Sequence, residues 1–410
     1  MIRILHTADL HLDSPLKSLA LRDETMRDVV QTATRTAFTR IVDAAIAQDV
    51  CALLIAGDLF DGAARSAKTA AFLLGQLDRL GDAGVQVFYI KGNHDAENPL
   101  TGELTLPAHV HIFDGRGGKV QIGDTNVWVH GVSFSGKHAP ESLLNKFSTP
   151  VPDAINIGML HTSLAGAEGH DTYAPCSEAE LRNFGYDYWA LGHIHKRKVY
   201  SQSPWIVMPG IPQGRDIGEA GEGSATLVQI DGSTISASEI PTSAVIFREE
   251  SIDVSETTDD DTMRALLRTS LNEIASNTSE NAILRLTLTG NSARHWELLR
   301  DKHLWTETAK DIAAQTGRIW IDKLRFDLKA PVIAGNSTAT DELARLMAEI
   351  QQEDNFAKEL DTIVDQILSE LPAQSRSDLL PDPSALRKLS AELSDTGAAQ
   401  MIALMKGASD

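Results

Sequence analysis

The sequence has few cysteines, no long apolar run and too few basic residues to balance its acidic ones. It contains 2 cysteines among 410 residues, which excludes a disulfide framework and a zinc site built from cysteines. No apolar run approaches the roughly 18 residues that a membrane-spanning helix needs. The first residues predict a strand rather than a signal peptide. We therefore expect a cytoplasmic protein that does not enter a membrane.

The charge balance restricts the partners. Lys and Arg together number 37 and Asp and Glu 57, so the formal net charge is −20. A protein that coats nucleic acid through a basic surface would carry the opposite sign. A local phosphate site is still compatible with this charge, because bound divalent metal ions can supply positive charge. The chain also lacks the Gly-x-x-x-x-Gly-Lys-Ser/Thr phosphate-binding loop, so any ATP dependence must come from another chain.

The order of predicted elements divides the chain into consecutive parts. Residues 1–240 alternate apolar strands with amphipathic helices, which is typical of an α/β domain with parallel strands. Residues 241–330 follow a β-α-β-α-β order that describes a small α+β module. Residues 331–340 form a predicted linker, and residues 341–410 are predicted to be helical with an acidic polar face. Packing is the simplest role for these helices, and a surface for a partner protein is the alternative.

Polar side chains that can bind metal follow five of the apolar runs in residues 1–240. They are Asp9, His11, Asp58, Asn93, His94, His161, His193 and His195. The carboxyl ends of strands in an open α/β sheet are where loops hold side chains convergently. Each residue alone is ordinary, because a histidine at a turn is more often a surface or core residue than a ligand. Five such groups at five strand ends instead predict a dinuclear metal site.

The mixture of carboxylate, imidazole and amide groups indicates which chemistry fits. It suits Mn²⁺, Fe or Zn²⁺ better than the all-oxygen sites typical of Mg²⁺ and Ca²⁺. Two such ions, about 3.5–4 Å apart, can hold the oxygens of a phosphoryl group and lower the pKa of a water molecule from about 15.7 towards about 7. The residues therefore predict hydrolysis of a phosphate ester.

The spacing of these residues resembles the motifs of the calcineurin-like metallophosphoesterases. The matching motifs are Asp9-x-His11, Gly57-Asp58-x-x-Asp61, Gly92-Asn93-His94-Asp95, His161 and Gly192-His193-x-His195. About residues 1–230 are similar to the DNA repair exonucleases of the SbcD type, and within them to the YhaO-like branch. The segments that carry this closer similarity are Asp9–Leu16, Pro209-Gly210 and Gln213-Gly214-Arg215. The resemblance implies a four-layer α/β/β/α sandwich with a small α+β capping domain and C-terminal helices.

The resemblance also implies a role for each residue. One metal ion would be held by Asp9, His11 and His195. The other would be held by Asn93, His161 and His193, with Asp58 bridging the two. His94 would stabilise the transition state and protonate the leaving oxygen, and Asp61 would orient His94. Archaeal and eukaryotic members carry a histidine where Asp61 stands, so Asp61 does not by itself identify the substrate.

The function implied by the resemblance is that of a metal-dependent DNA exonuclease or endonuclease. The chain would be the nuclease subunit of an SbcCD-like DNA repair complex, with an SMC-like ATPase as partner and a homodimer as an option. Mn²⁺ is the first choice for both metal ions, with Mg²⁺, Fe and Zn²⁺ as alternatives. A phosphoesterase for small-molecule phosphodiesters or phosphoproteins is the alternative function, which the acidic charge favours. An interaction protein with a degenerate site is disfavoured, because every predicted ligand is present.

Other residues near the motifs allow two interpretations. They are His130, His138, His170, Tyr173, Arg215 and the cluster Lys196-Arg197-Lys198. For the first two histidines a structural or rim role is favoured. The next two residues lie in a loop that could line the cleft. The basic residues beside His195 are predicted to contact a phosphate backbone, with an ordinary solvated turn as the alternative.

Overall fold

The computed structural model describes residues 1–16, 24–61, 66–98, 104–136, 138–164, 173–329 and 339–406, apart from 373, 374, 377, 378, 381 and 383. The chain forms two compact units. The first comprises Met1–Glu249, Thr278–Arg285 and Arg318–Asp322, and the second comprises Glu250–Asn277, Leu286–Gly317 and Lys323–Asp410. The domain boundaries predicted near residues 240 and 330 stay a prediction, and most of the predicted linker lies outside the described residues.

Two six-stranded sheets form the centre of the first unit. Its strands are β1 (Ile2–Thr7), β2 (Ala52–Ala56), β3 (Gln86–Ile90), β4 (Val110–Ile112), β5 (Gly118–Gln121), β6 (Val127–Gly131), β7 (Ile155–His161), β8 (Tyr188–Gly192), β9 (Lys198–Gln202), β10 (Trp205–Met208), β11 (Ser224–Asp231) and β12 (Thr234–Pro241). The first sheet has the order β12-β11-β1-β2-β3-β4, and the second has the order β5-β6-β7-β8-β10-β9.

The pairing within the sheets explains why several strand ends meet. Strands β1 to β4 run parallel, as do β6, β7, β8 and β10, so their carboxyl ends lie on common edges. Strand β5 pairs antiparallel with β6, and β4 pairs parallel with β3.

Apolar side chains from both sheets meet in a core between them. Ile4, Leu54 and Phe88 come from the first sheet, and Val129 and Tyr188 come from the second; all five are at most 1% exposed. Full burial of one such side chain contributes about 1.5–3 kcal/mol to stability. This dry core fixes the two sheets face to face.

Helices cover the outer face of each sheet. The helices of the first unit are α1 (Glu24–Ala47), α2 (Ala67–Asp82), α3 (Asn93–Glu97) and α4 (Glu178–Asn183). Helices α1 and α2 pack Phe38 and Leu73 into the cluster on the first sheet. Helix α4 contributes Leu181 to the cluster on the second. The Ser66 hydroxyl caps α2 by accepting a hydrogen bond from Thr69 N. The predicted α/β fold with two sheets flanked by helices is confirmed.

Residues 245–329 contain a third sheet, and helices dominate the rest. Its strands are β13 (Val245–Asp253), β14 (Asn281–Asn291) and β15 (Ile319–Lys329), in that order. The helices are α5 (Asp260–Ser276), α6 (His295–Arg300), α7 (Lys302–Gln315), α8 (Ala339–Gln351), α9 (Asp354–Ser369) and α10 (Ala385–Lys406). Helices α6 and α7 are separate, because Asp301 leaves helical geometry between them. None of the helices in the described part of the chain has the length and apolar character that a membrane crossing requires.

Candidate metal centre

The residues predicted to bind metal come together at the carboxyl ends of strands from both large sheets. Their ligand atoms form three groups, each with all atoms within 4.8 Å of one another. The groups are Asp9, His11 and His195; His11, Asp58 and His94; and Asp58, His161 and His193. Asn93 joins them through its Oδ1 atom, which lies 3.1 Å from His161 Nε2. Asp58 therefore stands between two groups that could each hold one ion.

Four residues of these groups have left-handed backbone conformations. The φ angles are 53° at Asp9, 41° at His11, 52° at Asp58 and 104° at His193. Such conformations cost a residue with a side chain on the order of 1–3 kcal/mol and persist only where the surroundings hold them. Here the loops hold each other, since Asp9 N–H donates to Gly57 O and His11 N–H donates to Asp58 O. Strain of this kind concentrates at functional sites.

Two glycines leave the space that the site needs. Gly57 has a φ of +97°, and a Cβ there would lie 2.3 Å from His161 Nδ1. A Cβ at Gly92 would lie 2.2 Å from Asp58 Oδ1. Both distances are far below van der Waals contact, so a side chain at either position would displace a predicted ligand. Glycine is therefore required for steric reasons at the positions that precede Asp58 and Asn93 in the motifs.

The group around His161 attracts positive charge. His161 Nδ1–H donates to Ala56 O at 2.9 Å, which directs the other ring nitrogen, Nε2, into the site. That nitrogen lies 3.1 Å from Asn93 Oδ1 and 3.4 Å from Asp58 Oδ2. Burial alone would lower the pKa of His161, but the Asp58 carboxylate instead raises it to about 9. Three acceptor atoms that face one another need a cation, which a proton or a metal ion can supply.

The group around His195 depends on charged side chains instead. His195 Nδ1 lies 2.6 Å from Glu219 Oε1, and this carboxylate also accepts a hydrogen bond from Arg215 at 2.7 Å. Burial alone would raise the pKa of Glu219, but its bonds to His195 and Arg215 hold that pKa well below its usual range. With Nδ1 engaged, His195 Nε2 faces His11 Nε2 at 3.3 Å. Sequence reasoning missed Glu219, since no motif marks it.

Two buried groups are left poorly satisfied by protein atoms alone. His11 Nδ1 is buried and has no hydrogen-bond partner among the described residues, and burial lowers the pKa of His11. Both carboxylate oxygens of Asp9 accept from the same backbone N–H, that of His193, and burial raises the pKa of Asp9. A buried carboxylate and a buried imidazole in this state become favourable when a cation binds both. The donor set therefore fits a pair of divalent metal ions.

Asp95 is a second residue without a predicted role, although it closes the Gly92–Asp95 motif. Its Oδ1 accepts from Phe60 N at 3.0 Å and its Oδ2 from Gly92 N at 2.9 Å. These bonds tie the loop after β2 to the loop after β3. Burial, helped by the neighbouring Asp58 carboxylate, raises the pKa of Asp95 to about 6. Asp95 thus holds Asp58 and Asn93 at a fixed separation.

His94 differs from the buried residues around it. Its side chain is 38% exposed, and its Nδ1 lies 3.4 Å from Asp61 Oδ1. Its backbone N–H donates to Asp58 Oδ1 at 3.0 Å. An imidazole that is held by a carboxylate and open to solvent can meet a substrate. Because one ring nitrogen also belongs to a candidate ligand group, the catalytic role of His94 stays a prediction, as does the role of Asp61.

The other histidines noted near the motifs, and Tyr173, do not belong to the candidate ligand groups found among the described residues. His130 is buried within β6, and its two ring nitrogens bond to Ser148 and Asn156, which is a structural role. His138 is exposed, and its ring is nearly parallel to that of Tyr173. The Tyr173 ring lies 5.1 Å from the His193 ring, so Tyr173 does line the site. His170 lies outside the described residues.

The basic residues beside His195 are partly neutralised by acidic ones. Arg197 pairs with Glu239 at 3.2 Å, and Arg215 pairs with Glu219. Lys196 and Lys198 are exposed. The predicted contact of this group with a phosphate backbone stays a prediction.

A cavity of about 640 Å³ adjoins the His195 side of the site. Its lining includes His195, Lys196, Glu219, Glu222 and Arg285. This volume lies within the range of small-molecule sites. A substrate at the metal centre would have room to extend in this direction.

Two family models match the chain. Residues 2–197 match the calcineurin-like phosphoesterases, and residues 247–329 match the middle domain of the metallophosphoesterase YhaO. The chain is 36% identical over 263 residues to an uncharacterised metallophosphoesterase YhaO of Bacillus subtilis, which covers 62% of this chain and 64% of the relative.

More distant relatives are DNA double-strand break repair proteins named Mre11. The one from Methanopyrus kandleri is 26% identical over 235 residues, which cover 52% of this chain and 49% of the relative. The one from Sulfolobus acidocaldarius is 29% identical over 210 residues, which cover 48% of this chain and 50% of the relative. The chain thus spans about half the length of these relatives and less than two thirds of the Bacillus subtilis protein.

Proposed function

We propose that this chain, whose residues 2–197 belong to the calcineurin-like metallophosphoesterases, is a metal-dependent nuclease that hydrolyses phosphodiester bonds of DNA. Members of this family hydrolyse phosphate esters and use a dinuclear metal centre. The names of the Mre11 relatives support DNA as the substrate. The observation that carries the proposal is the position of Asp58, whose carboxylate lies between two groups of ligand atoms.

We assign the ligands in two sets that share Asp58. Asp9, His11 and His195 would hold one ion. Asn93, His161 and His193 would hold the other. Support comes from the short distances within each group and from the buried Nδ1 of His11, which has no hydrogen-bond partner among the described residues. Mn²⁺ is our choice for both ions, with Mg²⁺, Fe and Zn²⁺ as alternatives, because imidazole and carboxylate ligands occur together.

The bound ions would supply positive charge for the phosphoryl oxygens and lower the pKa of a water molecule. The chain's own residues would do the rest. Asp61 would accept a hydrogen bond from His94 Nδ1 and so direct His94 Nε2 outward. From there His94 would donate a proton to the leaving oxygen of the ester. The exposure of His94 supports this role, since a substrate can reach its ring.

The partners and organisation are also proposals. We expect residues 1–240 to be the nuclease domain, 241–330 a capping domain and 341–410 a helical region. The match of residues 247–329 to a middle domain supports the second assignment. An SMC-like ATPase would be the partner in an SbcCD-like repair complex, because the sequence has no phosphate-binding loop of its own. We also propose that the protein can form a homodimer and that it is cytoplasmic.

A phosphoesterase for small molecules or phosphoproteins is the second candidate. The cavity of about 640 Å³ beside His195 favours it, since a small substrate would fit there. The net charge of −20 also favours it, because such a protein gains little affinity from DNA phosphates.

One assay separates the two functions. Purified protein with Mn²⁺ is given labelled single-stranded and duplex DNA, a cyclic nucleotide and a phosphopeptide, with the Asp58→Asn variant as control. We expect cleavage of DNA by the wild type and none by the variant. Turnover of the cyclic nucleotide or the phosphopeptide without cleavage of either DNA would reject the nuclease and support the second candidate.

A further inference from the structure

Two aromatic rings lie beside the metal centre and have no part in the proposed chemistry. The centroid of the Tyr173 ring is 5.1 Å from that of His193, at an angle of 57°. The His138 ring is 6.3 Å from Tyr173 and nearly parallel to it, with 9° between the planes. His138 is exposed and Tyr173 is half-buried. The pair therefore leads from His193 to the surface of the protein.

The backbone holds these two rings in place. Tyr173 O accepts from Ser163 N at 2.9 Å, and Tyr173 N donates to Ser163 Oγ at 3.1 Å. The next residue, Ala174, donates its N–H to Ala139 O, which follows His138. Tyr173 is thus hydrogen-bonded to Ser163, and its neighbour Ala174 is hydrogen-bonded to the residue after His138. On the inner side, the Phe134 ring lies 6.4 Å from the Tyr173 ring and backs it.

We propose that Tyr173 and His138 form a stacking site for the base next to the scissile phosphate. This inference rests on the proposed nuclease function. Aromatic side chains bind unpaired bases of any sequence through their faces, whereas bases inside a duplex are already stacked on each other. A phosphate held near His193 would bring its neighbouring base within reach of the Tyr173 ring.

The charge of the chain makes such a contact useful. With a net charge of −20, the protein cannot gain much affinity by neutralising phosphates. Stacking does not depend on net charge, and it also gives no sequence preference. The two rings would thus supply affinity where basic side chains are scarce.

Packing is the alternative role for Tyr173. Its side chain contacts the hydrophobic cluster on the outer face of the second sheet, as does that of Tyr200. Tyr200 lies on β9, with the Lys198 ammonium 4.5 Å from its ring centroid. Tyr200 is therefore a matched control, because it contacts the same cluster as Tyr173 but is not beside the candidate ligand groups.

The test compares two substrates with the full chain loaded with Mn²⁺. One is a short single-stranded oligonucleotide, and the other is the same strand with base-free sugars on both sides of the cleaved bond. Tyr173→Leu should raise KM for the first about tenfold and leave KM for the second within about twofold, since one stacking contact is lost. His138→Ala should shift KM in the same direction by less. Tyr173→Phe should restore the wild-type value, and Tyr200→Leu should change neither substrate.

A direct binding measurement uses the same strands with the fluorescent base 2-aminopurine beside the cleaved bond. Stacking on Tyr173 should quench its fluorescence in the wild type and not in Tyr173→Leu. Equal losses of Tyr173→Leu on both substrates, or a Tyr173→Phe variant as weak as Tyr173→Leu, would overturn the stacking site while leaving the nuclease intact. If the wild type cleaves bis-p-nitrophenyl phosphate but no DNA strand, the proposed function itself fails.

Discussion

Buried histidines occur both inside the strands of the first unit and at the carboxyl ends of those strands. Inside the strands, His6 bonds to Tyr188 Oη and Leu191 O, and His130 bonds to Ser148 and Asn156. Protein atoms thus occupy both ring nitrogens. At the strand ends, one nitrogen of His161 is bound by a backbone carbonyl, and the other faces acceptor atoms. The difference shows which histidines have both ring nitrogens hydrogen-bonded by the protein and which have one left to bind a ligand.

The pKa values follow the same division. Burial lowers the pKa of His6 to about 3 and that of His130 to about 4, so both are neutral in the folded protein. At the strand ends, carboxylates counteract burial and raise the pKa of His161 and of His195. A neutral histidine with both ring nitrogens hydrogen-bonded stabilises the fold. A buried histidine beside carboxylates is suited to bind a cation together with them. Four substitutions test whether the histidines differ in this way.

Asp58→Asn should have the largest effect. The Asp58 carboxylate lies between both candidate groups, so its loss should release both ions and abolish turnover. Metal content by mass spectrometry after desalting checks this. Asp187→Asn is the control, because Asp187 lies just before β8 and its carboxylate accepts from Asn156 N rather than facing the candidate ligands. Two ions retained by Asp58→Asn would contradict the bridging position.

His94→Gln should come next. If His94 donates the proton to the leaving oxygen, its replacement should lower kcat about 10²–10⁴-fold while both ions stay bound. Steady-state kinetics with parallel metal analysis separates the two effects. His111→Gln, on β4, is the control and should keep full activity. Loss of metal together with kcat would make His94 a ligand, like the histidines at the strand ends.

Glu219→Ala should have a smaller and one-sided effect. Glu219 holds His195 through a 2.6 Å bond, and loss of such a partner typically weakens metal affinity about 10–100-fold. Calorimetric titration with Mn²⁺ should show one weakened site and one unchanged site, since the backbone carbonyl of Ala56 holds His161. Glu219→Gln should keep part of the affinity. Glu239→Ala is the control: it loses only the ion pair with Arg197, so its affinity for Mn²⁺ should equal that of the wild type. Equal weakening of both sites would show that the two groups are not held independently.

His130→Gln should affect only stability and its pH dependence. The folded pKa of about 4 lies below the ordinary 6.5, so the unfolded chain binds more protons between these values. Stability from this residue is therefore present above pH 6.5 and is lost as the pH falls towards 4. The decrease in Tm between pH 7 and pH 5 should be a few degrees larger in the wild type than in the variant. A change in Mn²⁺ affinity would place His130 with the strand-end histidines.

Most residues of the candidate site could be predicted from the sequence, and a few could not. Apolar runs that end in Gly, Asp and His predict strand ends, and the structure brings those ends together. Glu219 could not be found in this way, because only the approach of residues 24 positions apart puts its carboxylate against His195. Tyr173 was noted in a loop, but its position against His193 depends on how that loop bonds to Ser163.

The sequence by itself determined the alternation of strands and helices and the polar residues after each strand, because periodicity and glycine act over a few neighbouring residues. The tertiary structure alone shows which atoms meet each histidine ring. The sequence predicts His161 as a ligand from its place after an apolar run, but both His161 and His6 are buried and their partners come from other strands. Their difference arises from atoms on distant strands, since Leu191 O and Tyr188 Oη occupy one ring while Asn93 and Asp58 crowd the other. Long-range packing places those atoms, and local sequence does not encode it.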